Sequence, residues 1–217
     1  MATKEYIKRY ILLIISTFFI AFGIALSKHS GLGVTTVSSI PNVLSLNFTF
    51  LSIGNWLNIW NLLLILTQIV ILRKDFKMIH LLQIVIAFLN GWFTDFWLIF
   101  IVHIPLYNYF IRLLLVTFGV AVLGVGVSLS FIANVLLNPA EALVRVIADK
   151  LHKNIGNVKI VFDILCVSFA IILSMLFFDF RIIGVREGTV MAMIFTGMIV
   201  KIFNRWLWEP FNRFLSK

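Results

Sequence analysis

The chain holds few residues able to do chemistry, and most of them stand in two short stretches. After the first long apolar run come Lys28, Ser30, Thr35, Thr36, Ser38 and Ser39, in text broken by Gly31, Gly33 and Pro41. Past the middle come Asn134, Asn138, Pro139, Glu141 and Arg145. The second stretch reads as a helix start: Asn138 suits the cap, Pro139 the first turn, and Glu141 the position of a capping-box carboxylate. Thr35 or Thr36 can cap a shorter helix in the first stretch. Helix N-termini carry unpaired N–H groups and a partial positive charge, which favour anions. Ser30, Thr35, Thr36, Ser38, Ser39, Asn134, Asn138, Glu141 and Arg145 are therefore the expected contacts of a small anionic or zwitterionic solute. Asp95 and Asp163 are isolated carboxylates inside apolar runs, where charge is costly and turns inward. They are the expected coupling-ion or proton sites. Lys28, Arg186 and Glu187 are candidates for gating or for anchoring at the membrane surface, and Glu141 and Arg145 have the spacing of a helical ion pair. No nucleophile–base–acid set, phosphate loop or metal-ligand spacing is present, and Cys166 stands alone. No enzyme, metal or cofactor is expected.

The elements that position these residues follow from composition. Of the 217 residues, 61% are hydrophobic and only 12% charged, against roughly 25% charged in ordinary soluble domains. One water-facing core of this size cannot hide that much apolar surface, so lipid is the expected solvent. Six apolar segments, near 10–27, 56–72, 79–101, 113–133, 160–178 and 188–203, predict an all-α polytopic membrane protein with six transmembrane helices. The runs are continuous, whereas β-barrel strands alternate. All but four of the 18 Lys and Arg fall on one set of connections. That set runs from Lys4, Lys8 and Arg9 to Lys201, Arg205, Arg213 and Lys217, so the N and C termini are expected in the cytoplasm. The net charge of +9 is thereby split among short loops. It predicts contact with the lipid bilayer and no nucleic acid.

The two halves of the chain resemble one another. Arg9, Gly23, Leu26 and Ser27 match Arg112, Gly126, Leu129 and Ser130 at a constant offset. Ile53-Gly54-Asn55 matches Ile155-Gly156-Asn157, Asp75-Phe76-Lys77 parallels Asp179-Phe180-Arg181, and Gly91 aligns with Gly197. One repeat then spans 9–101 and the other 112–205, within a single membrane domain over 1–217. Three spans per repeat force the second copy upside down, giving a 3+3 inverted repeat of the kind found in transporters. The two polar stretches would lie on opposite sides of the membrane, either re-entrant or on its surface. Gly23, Ala21, Ala25, Gly124 and Gly126 would let the first and fourth spans pack closely.

The Arg9–Ser27 span, Ser30-Gly31-Leu32-Gly33, Ile53-Gly54-Asn55 and Gly184-Val185-Arg186-Glu187-Gly188-Thr189 resemble the YczE/YyaS/YitT group of bacterial integral membrane proteins. The likeness runs over most of the chain and is to the shorter, YczE-like members, so no YitT-type C-terminal domain is expected. It implies a multi-pass protein of the bacterial cytoplasmic (inner) membrane and supplies no substrate. The expected function is a small transporter or channel-like carrier, with a small-molecule solute at the repeat interface. The alternative is a non-transporting membrane subunit that binds, stabilises or regulates a partner, and a homo-oligomer or a membrane partner subunit is among the expected assemblies. One version would act like the S-component of an importer.

Overall fold

A computed structural model describes residues 3–216. Lys217 and the Arg213 side chain, counted above for orientation, lie outside the described part. Eight α-helices follow in chain order: α1 (Thr3–Ser30), α2 (Ser39–Asn47), α3 (Ile53–Leu72), α4 (Leu82–Ile101), α5 (Tyr109–Ala133), α6 (Pro139–Leu151), α7 (Ile155–Phe177) and α8 (Glu187–Ser216). Two 3-10 turns, Arg73–Asp75 and Met78–Leu81, connect α3 to α4. The order long, short, long, long occurs twice.

Six of these helices are long and apolar enough to cross a membrane, one for each apolar segment of the sequence. Their outer faces carry large apolar side chains such as Val70, Trp92, Ile99, Leu165 and Leu176, all more than 60% exposed. Lipid accepts such a surface and water does not, so the chain is a multi-pass membrane protein. Several helices begin or end beyond the apolar runs. α3 and α7 start at polar turns, where Ser52 Oγ accepts from Asn55 N at 3.1 Å and Asn154 Oδ1 from Gly156 N at 2.8 Å. These caps satisfy the first N–H groups, so the helices form before the apolar text starts.

The centre of the fold is the crossing of α1 and α5. A methyl group added at Gly23 would stand 2.5 Å from the Gly119 carbonyl oxygen and 2.7 Å from Leu123 Cβ. One at Gly126 would stand 2.8 Å from the Ile20 backbone nitrogen and 2.9 Å from the Ser16 carbonyl. The two backbones meet at these glycines, as small residues allow in lipid. Gly124, grouped with them above, faces Ile199 of α8 instead, because it lies two residues round the helix from Gly126. Arg9 adds a polar tie, donating from Nη1 to the Ile132 and Ala133 carbonyls at the end of α5 while pairing with Glu5 at 3.0 Å.

Around this crossing the helices form two bodies. In the first, α1 packs on α4 and α5, and α5 packs on α8. In the second, α3 and α7 each pack on both short helices, α2 and α6. The two bodies meet along α3 and α4, whereas α7 and α8 form no extended interface. Crowding at Gly23 predicts that Gly23→Ala lowers stability by about 1–3 kcal/mol, the usual cost of overpacking. A methyl at Gly197 meets no described atom within 4 Å. Gly197→Ala should therefore leave stability unchanged or raise it by up to about 1 kcal/mol, since alanine suits a helix interior better than glycine. Thermal melting of both variants in one detergent checks the contrast.

Candidate functional site

Between the two bodies lies a cavity of about 770 Å³. Its wall is mostly apolar, supplied by residues such as Ile20, Leu57, Leu123 and Val127. The polar groups enter from the segments that the sequence singled out. Thr35, Thr36 and Ser38 come from the turn leading into α2, and Asn134, Asn138, Glu141 and Arg145 from the start of α6 and the residues before it. Asp163 of α7 completes this set.

Local structure explains how each arrives. Thr35 closes the turn before α2: its Oγ1 accepts from Ser38 N at 3.3 Å and donates to Ser38 Oγ at 2.9 Å. Asn134 ends α5 in the left-handed conformation (φ 48°, ψ 40°), which an asparagine tolerates. Asn138 stands at the N-cap of α6, but its side chain makes no capping hydrogen bond, contrary to the sequence expectation. Pro139 has no N–H to be satisfied and presets the first turn, and the Asn138 side chain lines the cavity. The anticipated Glu141–Arg145 ion pair is also absent among the described residues. Glu141 sinks towards Lys159 and Asp163, while Arg145, one turn further on, stays exposed. Burial pushes the Glu141 carboxyl above the ordinary carboxylate range, against the pull of the Lys159 ammonium. Glu141 therefore keeps its proton to higher pH than a hydrated glutamate.

A charged link crosses the second body. Asp163 is 8% exposed, and its Oδ1 accepts from Thr36 Oγ1 at 2.8 Å and from Lys159 Nζ at 2.7 Å. Burial of this carboxylate is offset by two donors, one of them cationic. Two further wall groups have no partner among the described residues: the Trp60 indole N–H and Asn90 Oδ1, both buried. A buried donor and a buried acceptor in a cavity wall are groups for a ligand or water to satisfy.

The remaining candidates lie outside the cavity. Ser30 donates to the Ser27 carbonyl at 2.7 Å and accepts from Leu32 N, closing the end of α1. Ser39 donates to the Thr36 carbonyl. Lys28 donates to Asn42 Oδ1 at 2.7 Å and Ser45 Oγ at 2.9 Å, joining α1 to α2. Asp95 accepts from Ser52 Oγ and from Gly54 N at 2.9 Å, so its carboxylate caps α3 and joins it to α4. Arg186 and Glu187 pair with each other on the surface at 3.2 Å. Beside them, Gly188 N donates to the Leu32 carbonyl at 2.8 Å, and Gly33 (φ +103°) packs against Thr189. The glycines at 33 and 188 thus join the end of α1 to the start of α8. Sequence reasoning passed over Lys159, Trp60, Asn90, Thr196 and Asn204 as cavity residues. Only Lys159 had a legible signal, one helical turn before Asp163.

Chemically, the arrangement offers an apolar chamber with one exposed guanidinium, one internally neutralised Lys–Asp pair and one carboxyl whose burial favours its protonated form. Two helix N-terminal segments open on the same space. Residues 7–205 match a family described as a family of unknown function (DUF6198). No curated protein and no solved structure matches the chain.

Replacing Asp163 by Ala should free Thr36, leave the Lys159 ammonium without its counter-charge, and lower the melting temperature. Adding Lys159→Met should recover part of the loss, because it removes the stranded charge. Equal or greater destabilisation in the double variant would refute the coupling.

Proposed function

The chain belongs to the DUF6198 family, and we propose that it is a small-solute transporter of the bacterial cytoplasmic membrane, built as a 3+3 inverted repeat. The observation that carries this reading is the single cavity lined by both polar stretches and by helices of both repeats. The inverted repeat is supported by the way contacts exchange under the sequence offset. Gly23 meets Gly119 and Leu123, and its counterpart Gly126 meets Ser16 and Ile20, which are the counterparts of Gly119 and Leu123. The same exchange turns the α1–α4 packing into α5–α8, and α3–α6 into α7–α2. A two-fold axis in the membrane plane would produce this pattern. The basic connections orient both termini to the cytoplasm.

The solute class follows from the wall. Lys159 and Asp163 neutralise each other, burial favours the protonated form of Glu141, and Arg145 has no counter-ion within the described residues. With two helix N-terminal segments nearby, the site favours an anion or a zwitterion whose carboxylate meets Arg145. The apolar wall and the Trp60 indole favour an apolar body on that solute. The YczE-like resemblance, carried by the Arg9–Ser27 span, the turns at 30–33 and 184–189 and the start of α3, supports a multi-pass membrane protein and supplies no solute.

Uptake of a panel of small labelled carboxylates and amino acids into proteoliposomes tests the proposal. Arg145→Gln should lower uptake at least tenfold, corresponding to about 1.4 kcal/mol or more of lost binding. Its melting temperature should stay unchanged, because Arg145 is exposed and unpaired. Equal uptake in the two proteins would remove Arg145 from the site. Binding without flux in the wild-type protein would favour the partner-subunit reading.

A further inference from the structure

The two bodies are joined on one side and parted on the other, and the parted side carries the same sequence device as the joined one. On the joined side Gly54 of α3 and Gly91 of α4 lie backbone to backbone: a methyl at either would collide with the other's carbonyl oxygen. Asp95 latches the pair by capping Gly54 N. Ile53 and Leu57 close the seam, packed on Ile20, Ile24, Leu123 and Val127 of the central crossing. On the parted side the counterparts are Gly156 of α7 and Gly197 of α8. A methyl at Gly197 would meet no described atom within 4 Å, and one at Gly156 only the neighbouring Asn154 side chain. Both glycines line the cavity. Ile155, the counterpart of Ile53, also lines the cavity and is 47% exposed.

The four residues that receive Ile53 and Leu57 map onto themselves under the repeat offset: Ile20 corresponds to Leu123, and Ile24 to Val127. One apolar ridge can therefore receive either seam. We infer that α7 and α8 close on one another through Gly156 and Gly197 in a second state, with Ile155 seated on this ridge, while α3 and α4 part. This inference rests on the transporter reading above and supplies its gating: the state described is closed at α3–α4 and open at α7–α8. With the proposed orientation, the starts of α3 and α7 face opposite sides, so the open seam faces the cytoplasm. The second body moves against the first as a unit, and the α3–α4 latch is exchanged for the α7–α8 contact. α8 has a fixed point for this motion, where Gly188 N holds the Leu32 carbonyl at its N-terminal end.

Paired spin labels in full-length protein in liposomes, on a Cys166→Ala background, test the exchange. Asn157→Cys with Arg205→Cys reports the α7–α8 seam, and Asn55→Cys with Ile99→Cys reports the α3–α4 seam. Each pair should give two distances. Gly91→Leu, which jams the joined seam, should enrich the short α7–α8 distance and the long α3–α4 distance. Gly197→Leu should abolish the short α7–α8 distance without lowering the melting temperature. If Gly91→Leu does not fold, Asp95→Asn should shift both distances the same way by weakening the latch. A single α7–α8 distance, unchanged in every variant, would overturn the inference. Exchange without flux of any tested solute would leave the gate standing and refute transport. Flux without exchange would do the reverse.

Discussion

The crossing of α1 and α5 at Gly23 and Gly126 is the constraint on which the rest of the structure depends. In lipid, helices gain little from hiding apolar side chains from one another, so close backbone approach has to supply the attraction. Here each glycine admits a backbone segment of the other helix, which fixes both the angle and the depth of the crossing. α4 and α8 then pack on the outer flanks of that pair, one on each helix. The central ridge of Ile20, Ile24, Leu123 and Val127 is a by-product of the same crossing. It forms the apolar floor of the cavity and the surface on which the α3 seam closes.

The second body is held differently. α3 and α7 share no extended interface among the described residues, and the short helices α2 and α6 bridge them. Short helices in such a position bring N-terminal ends and polar turns into the interior of the protein. That is tolerable in lipid only where irregular backbone is buried in protein or lines a cavity. The Thr36–Asp163–Lys159 link belongs to this arrangement, tying the turn before α2 to α7. The polar cost of the second body and the polar lining of the cavity are the same atoms.

The glycines show how one residue type serves different ends. Gly23 and Gly126 allow close packing, Gly33 takes a backbone angle that other residues resist, and Gly54 and Gly91 form a seam. Gly197 does none of these in the present state. In a helix interior a glycine costs roughly 0.5–1 kcal/mol relative to alanine, and nothing around Gly197 repays that cost unless α7 approaches.

The sequence by itself determined the six long helices and the two polar stretches. Lipid requires about twenty consecutive apolar residues per crossing, so the exceptions stand out without any knowledge of packing. It also pointed to polar residues that meet: Thr35, Thr36, Asn138 and Glu141, from its two polar stretches, share one cavity. Only the tertiary structure decided their roles. Asp95 and Asp163 look alike as carboxylates in apolar runs, yet one latches two helices beside Gly54 while the other faces the cavity. Trp60 and Asn90 became visible as unsatisfied groups only once neighbouring helices had closed round them. The seams differ for the same reason. Gly54 with Gly91 and Gly156 with Gly197 offer two such pairs, and a glycine permits two backbones to meet without compelling them to. Which pair is in contact depends on how the two helical bodies are set against each other, and no local stretch of sequence encodes that.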